Sequence, residues 1–148
     1  MTALSLENVS ITLGDTPVLD SINLHVAQGE FVSILGPSGA GKSTIFRLLT
    51  GALPLQTGTI TGATHQNSFA FMPQRDALMP WRRIIDNLTL GLEMQGIPRK
   101  DARAQVAPLL FDFGLEGFTN HYPAQLSGGM RQRTALLRTI VQGRDIQL

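Results

Sequence analysis

GPSGAGKST, Gly36 to Thr44, is the stretch that decides how this chain reads. It fits the pattern GxxxxGK[ST] at Gly36, Gly41, Lys42 and Ser43, with Pro37, Ser38, Gly39 and Ala40 forming the loop between. Glycines let the backbone adopt conformations that a Cβ forbids, so that successive N–H groups turn inward around a phosphate. A helix beginning at Lys42 points the positive end of its dipole at the same anion. Lys42 adds a full charge for the terminal phosphates of a nucleotide, and Ser43, followed by Thr44, offers a hydroxyl to Mg2+. With ordinary residue frequencies, a chance match in a chain of this length arises on the order of once in 200 sequences. The motif therefore carries a P-loop and, with it, ATP.

The context on either side suits that reading. Phe31-Val32-Ser33-Ile34-Leu35 is a short apolar run that predicts a strand leading into the loop. Earlier, residues 3–13, ALSLENVSITL, alternate and are rich in β-branched types, which predicts a first strand. Gly14-Asp15-Thr16-Pro17 is a turn signal, and Val18 to Ala27 reads as a second strand with Leu19, Ile22, Leu24 and Val26 as its apolar set. After the loop, Lys42 to Leu53 reads as a helix with Ile45, Leu48 and Leu49 facing inward. Two more short strands are expected near Gly58–Ile60 and Ser68–Met72.

From Trp81 onward the apolar spacing becomes helical, through Trp81, Ile84, Ile85, Leu88 and Leu92, until Gly96-Ile97-Pro98 stops it. A second helix is expected from about Lys100 to Phe113, kinked by Pro108, with Val106, Leu109, Leu110 and Phe113 on one face. A third starts after Ser127, which can cap it, and runs to about Val141 with Met130, Leu137 and Val141 in one apolar row. Asp145 to Leu148 reads as the opening of another buried strand.

Composition bounds the remaining possibilities. The chain has 148 residues, 43% hydrophobic and 16% charged, as in a soluble globular domain. Its net charge of +1 gives no bulk attraction to nucleic acid or to an anionic membrane, so no nucleic-acid partner is expected. There is no cysteine, which excludes disulfides and thiolate chemistry and fits a cytoplasmic setting. His25, His65 and His121 are too scattered to suggest a metal site and read as ordinary surface or packing residues. No apolar run approaches the roughly 20 residues that a membrane helix needs, so any link to a membrane must pass through a partner.

A second motif narrows the field. In LSGGMRQR, Leu126 to Arg133, the residues Ser127, Gly128 and Gly129 stand at a predicted helix start without bulky side chains. The stretch reads either as a second anion site or as a capped helix with a flexible approach. Together the two motifs closely resemble the ATP-binding subunit of ATP-binding-cassette (ABC) transporters, over essentially all 148 residues and in the expected order. LSGGM stands where that family has its LSGGQ-type signature. The fold implied is α/β: a P-loop NTPase, an incomplete cassette with an N-terminal antiparallel β-subdomain, a RecA-like core and a helical lobe. Residues 1–80 would supply the β-subdomain and P-loop core, 81–126 the helical lobe, and 127–148 the signature helix and the start of a further strand.

The resemblance implies more than the residues alone do. Gln74, in FMPQRDALMPW, is by itself a polar loop residue; the resemblance makes it the Q-loop glutamine, a ligand of Mg2+ beside Ser43. Two subunits would pair head to tail as a homodimer, with ATP between the P-loop of one and the signature of the other. A membrane permease subunit would dock on the helical lobe, placing the protein at the inner face of the cell membrane. Arg99 to Arg103 reads either as part of that docking surface or, preferably, as a solvated helix face. The PWRRIIDNLTLGLEMQGIP stretch is similar to importer subunits for nitrate, sulfonate, taurine and thiamine precursors.

Two departures qualify the resemblance. Leu13 stands where the family stacks an aromatic residue on adenine, and leucine offers no π-face. The 148 residues also stop before the acidic residues and the histidine that the family uses in hydrolysis, so the chain is expected to bind ATP but hydrolyse it little, with marginal stability. Other readings are a small nucleotide kinase, a non-catalytic nucleotide-binding fragment, and a soluble ABC protein of repair or translation. The kinase reading leaves the leading strands and LSGGMRQR without a role.

Overall fold

A computed structural model describes residues 1–62 and 68–148. His65 lies outside the described residues. The chain forms two compact units, Met1–Phe69 with Leu148, and Ala70–Gln147.

The first unit is built on β1 (Thr2–Leu13), β2 (Thr16–Ala27) and β3 (Thr57–Gly62), in the order β2-β1-β3 and antiparallel throughout. β1 and β2 form a hairpin in which Leu13 faces Thr16 across Gly14-Asp15, a tighter turn than the four residues the sequence suggested. β1 lies in the centre and carries the core. Leu4 and Leu6 are buried, then Val9 and Ile11, so the buried set changes parity midway. A strand slips its parity only by a bulge, and the ladder is irregular between Leu6 and Val9. Asn8 there has φ +51, a conformation asparagine tolerates, and its N–H donates to the Asn23 Oδ1 at 2.9 Å.

α1 (Lys42–Leu49) follows the glycine loop and buries Ile45, Leu48 and Leu49, as its spacing predicts. It ends four residues earlier than expected, because Gly51 takes φ +74 just beyond the cap at Thr50. The predicted strand Phe31–Leu35 does not form: these residues belong to no ladder, and Phe31 and Leu35 are 92% and 91% exposed. Apolar character makes a strand only where a neighbour supplies hydrogen bonds, and no strand among the described residues pairs with this segment. β4 (Phe69–Ala70) and β5 (Ile146–Gln147) make a two-stranded sheet. Ile146 is only half-buried and Gln147 exposed, so the expected buried strand is short and largely open.

The second unit is helical: α2 (Ile84–Leu88), α3 (Leu90–Met94), α4 (Arg99–Val106) and α5 (Gly128–Ile140). Ile84, Leu88, Leu92, Ala102, Val106, Leu110, Leu115, Leu126 and Leu137 form its core. Trp81 does not join the helix it was expected to open; it lies ahead of α2 and is 73% exposed. The donors at the start of α2 are met by a loop instead, with Ile84 N–H on His121 O at 2.8 Å and Ile85 N–H on Thr119 O at 3.0 Å. Asn87 is fully buried; its Oδ1 accepts from Met79 N–H at 2.7 Å and its amide donates to the carbonyls of Met79, Arg82 and Arg83. Pro108 does more than kink α4. The helix gives way to a 3-10 turn over Ala107–Leu109, since proline has no N–H for the ladder. No helix among the described residues is long and apolar enough to cross a membrane.

Candidate functional site

Gly36 to Thr44 wraps the start of α1 in the first unit. Gly39 and Gly41 take φ +85 and +83, left-handed values that favour glycine. Gly41 is also sterically closed: a Cβ there would lie 2.8 Å from Leu19 Cδ2 and from the Val18 carbonyl. β2 thus fixes where the loop turns.

A helix start leaves N–H groups without an intrahelical partner. α1, like α2, α3 and α4, has no side chain capping them: Gly41 stands at the cap, and no acid lies in the first turn of α1. Thr44 and Ile45 N–H bond back to the Gly41 carbonyl, and Ala40 N–H to that of Pro37. The amides of Gly41, Lys42 and Ser43 have no partner among the described residues. Lys42 folds across the loop, its Nζ donating to the carbonyls of Gly36 at 2.7 Å and Pro37 at 2.6 Å. Open amides, a helix dipole and one ammonium group thus belong to one loop, Gly36 to Thr44, which is the chemistry of phosphate binding. Ser43 is exposed, with a hydroxyl engaged by no described residue. These residues fit a nucleotide phosphate with Mg2+. Leu13, at the end of β1, is 38% exposed and belongs to the same unit.

Gln74 and Ser127 to Gly129 lie in the second unit. Ser127 caps α5, its Oγ accepting from Met130 N–H at 3.3 Å, while Gly128 and Gly129 are exposed in the first turn. Gln74 is exposed and makes no hydrogen bond among the described residues. The segment that carries it is tied to α5. Asp76 accepts Arg131 Nε at 3.1 Å, and Arg131 also donates to the Leu126 carbonyl at 2.8 Å. Arg138 donates to the carbonyls of Asp76 and Ala77, both at 2.8 Å. The structure thus brings the Gln74 segment and the signature helix together within one unit. The sequence reading missed Asp76, Arg131 and Arg138, because their partners lie 55 to 62 residues apart.

Arg99, Lys100, Asp101 and Arg103 are exposed, in keeping with a solvated helix face, and the two arginines also hold an ion pair. Both donate to the same Asp86 oxygen at 2.6 Å, linking α4 to α2. Burial pushes the Asp86 carboxyl up, and hydrogen bonds from Arg103 and Arg99 outweigh it, leaving the group below the ordinary carboxylate range. His25 lies 3.2 Å from Thr2 Oγ1, and His121 packs on Phe118 with ring centroids 5.2 Å apart, so both are surface or packing residues as expected.

The ABC transporter family profile matches residues 19–148, so the chain belongs to the ABC transporter family. The formylaminopyrimidine import ATP-binding protein ThiZ of Halalkalibacterium halodurans is 41% identical over 146 residues, 98% of this chain and 58% of that protein. The aliphatic sulfonates import ATP-binding protein SsuB 1 of Rhodococcus jostii is 40% identical over the whole chain and 59% of its own length. The chain therefore spans rather more than half of these relatives. Among solved structures, the dimeric post-hydrolysis state of the ATP-binding cassette MJ0796, bound to ADP and Pi, superposes with a TM-score of 0.83. It is 28% identical and covers 97% of this chain and 72% of that one. An ATP-binding subunit of an ABC transporter gives a TM-score of 0.87 at 24% identity, over 99% of this chain and 65% of that one. The fold is that of an ABC ATP-binding cassette, of which the chain spans a part.

Proposed function

We propose that this chain is the nucleotide-binding part of an ATP-binding subunit that energises an ABC importer. The observation that carries the reading is the glycine loop at the start of α1, where free amides and the Lys42 ammonium group lie in one turn of chain. The relatives named above are import proteins, and they support the direction of transport. Their cargoes differ at nearly equal identity, so the proposal extends to import and not to a cargo.

In this reading Lys42 leaves the Gly36 and Pro37 carbonyls for the β- and γ-phosphates, exchanging two neutral acceptors for anionic ones. The open amides of Gly41, Lys42 and Ser43 hold the β-phosphate. Ser43 and Gln74 would hold Mg2+, which when bound neutralises phosphate charge. Ser127, Gly128 and Gly129 of a second copy would close on the γ-phosphate, in a head-to-tail homodimer docked on a permease at the inner membrane face. Leu13 would pack on adenine without π-stacking.

Catalysis of phosphoryl transfer to water depends on positioning that water. A polypeptide of these 148 residues is expected to bind ATP with little hydrolysis. Sedimentation with ATP and Mg2+ should yield a dimer that Gly129→Asp disrupts, alongside phosphate release near background. A dimer indifferent to Gly129→Asp, or rapid phosphate release, would contradict this reading.

A further inference from the structure

Ala77 is among the few non-glycine residues with a left-handed backbone, at φ +45. A Cβ disfavours that conformation, so it persists only where neighbours enforce it. Arg138 contacts the backbone on both sides of Ala77 Cα. Its Nη1 donates to the Ala77 carbonyl and its Nη2 to the Asp76 carbonyl, so one planar fork grips two successive peptide units that flank the kink. Asp76 completes the kink: its Oδ1 accepts Leu78 N–H at 3.2 Å, and its Oδ2 accepts Arg131 Nε. Leu78 is buried immediately beyond, while Gln74, three residues before Ala77, stays exposed.

Resting on the reading of Gln74 as a Mg2+ ligand, we propose that Arg138 is a positioning residue whose forked grip holds Ala77 in its left-handed kink and so fixes the loop that presents Gln74. The grip originates on α5, the helix that opens with Ser127-Gly128-Gly129, so the orientation of that helix and the direction of Gln74 are set by the same side chain. Arg138 is half-buried, and its guanidinium makes no other hydrogen bond among the described residues. A lysine there could reach one carbonyl as a point charge but not both through a planar fork.

The test compares the chain with Gln74→Ala, Arg138→Lys, Ala77→Gly and the double variant Arg138→Lys/Ala77→Gly. Two quantities are read: the gain in ATP affinity from adding Mg2+ over EDTA, by calorimetry, and the exchange rate of the Leu78 amide. Arg138→Lys should lose about tenfold of the Mg2+-dependent gain, as Gln74→Ala does, with ATP affinity in EDTA unchanged. Leu78 exchange should quicken in Arg138→Lys. Glycine adopts the kink unaided, so the double variant should recover both the gain and the slow exchange. A purely structural role for Arg138 would weaken binding in EDTA as well and would not be rescued by glycine. Retention of the full gain and slow exchange in Arg138→Lys overturns the proposal. Should Arg138→Lys fail to fold, Ala77→Val disfavours the left-handed kink with the arginine in place, and a retained gain together with quickened Leu78 exchange in that variant overturns it equally. If Gln74→Ala leaves the Mg2+ gain untouched, the reading of Gln74 falls, while Leu78 exchange still decides whether Arg138 holds the kink.

Discussion

At position 41 the demands of backbone and of space coincide. The left-handed φ disfavours a side chain, and Leu19 and Val18 leave no room for one. Gly41→Ala should therefore destabilise the first unit by about 1–3 kcal/mol and weaken nucleotide binding with it. Urea denaturation checks the first effect, and an unchanged midpoint would mean that the loop is not held against β2. The P-loop residues were legible because the motif is contiguous and each position answers to a local constraint. Ala77 was not legible. An alanine carries no sequence signal for a left-handed backbone, and the arginine that holds it stands 61 residues away.

Between elements, α2 and α4 meet through one carboxylate and two guanidinium groups, Asp86 with Arg99 and Arg103. The folded-state pKa of Asp86 lies below its ordinary value. The ion pair thus contributes its stability above the unfolded-state value of about 4, and loses it as pH falls through the lower folded-state value. Acid titration of stability should show this loss, and Asp86→Asn should remove that pH dependence while lowering stability at neutral pH. An acid limb identical in the two proteins would contradict the assignment. The helices were legible from their 3.6-residue spacing: Ile84, Leu88, Leu92, Val106 and Leu137 were each read as apolar-face residues and each is buried. Their ends were less so, because Pro108 converts the last turn of α4 to a 3-10 turn, and α2 begins where a distant loop meets its donors. Phe31 to Leu35 shows the converse limit. Its composition suits a strand, yet pairing is a property of neighbours, not of the segment.

On the scale of the whole molecule, the same segment leaves Phe31 and Leu35 almost wholly exposed beside backbone that enters no ladder. Apolar side chains next to unpaired N–H and C=O groups favour association. A polypeptide of these 148 residues should therefore self-associate in light scattering, and Phe31→Ser with Leu35→Ser should reduce it; a monodisperse parent protein would count against this. Everything proposed about function depends on the cradle at the start of α1. Calorimetric titration of ATP into the chain and into Lys42→Ala tests it most directly. Loss of a charge-assisted contact of ~1.5–3 kcal/mol predicts roughly 10- to 150-fold weaker binding in the variant. Equal affinity in the two proteins, or no binding by either, would contradict the account.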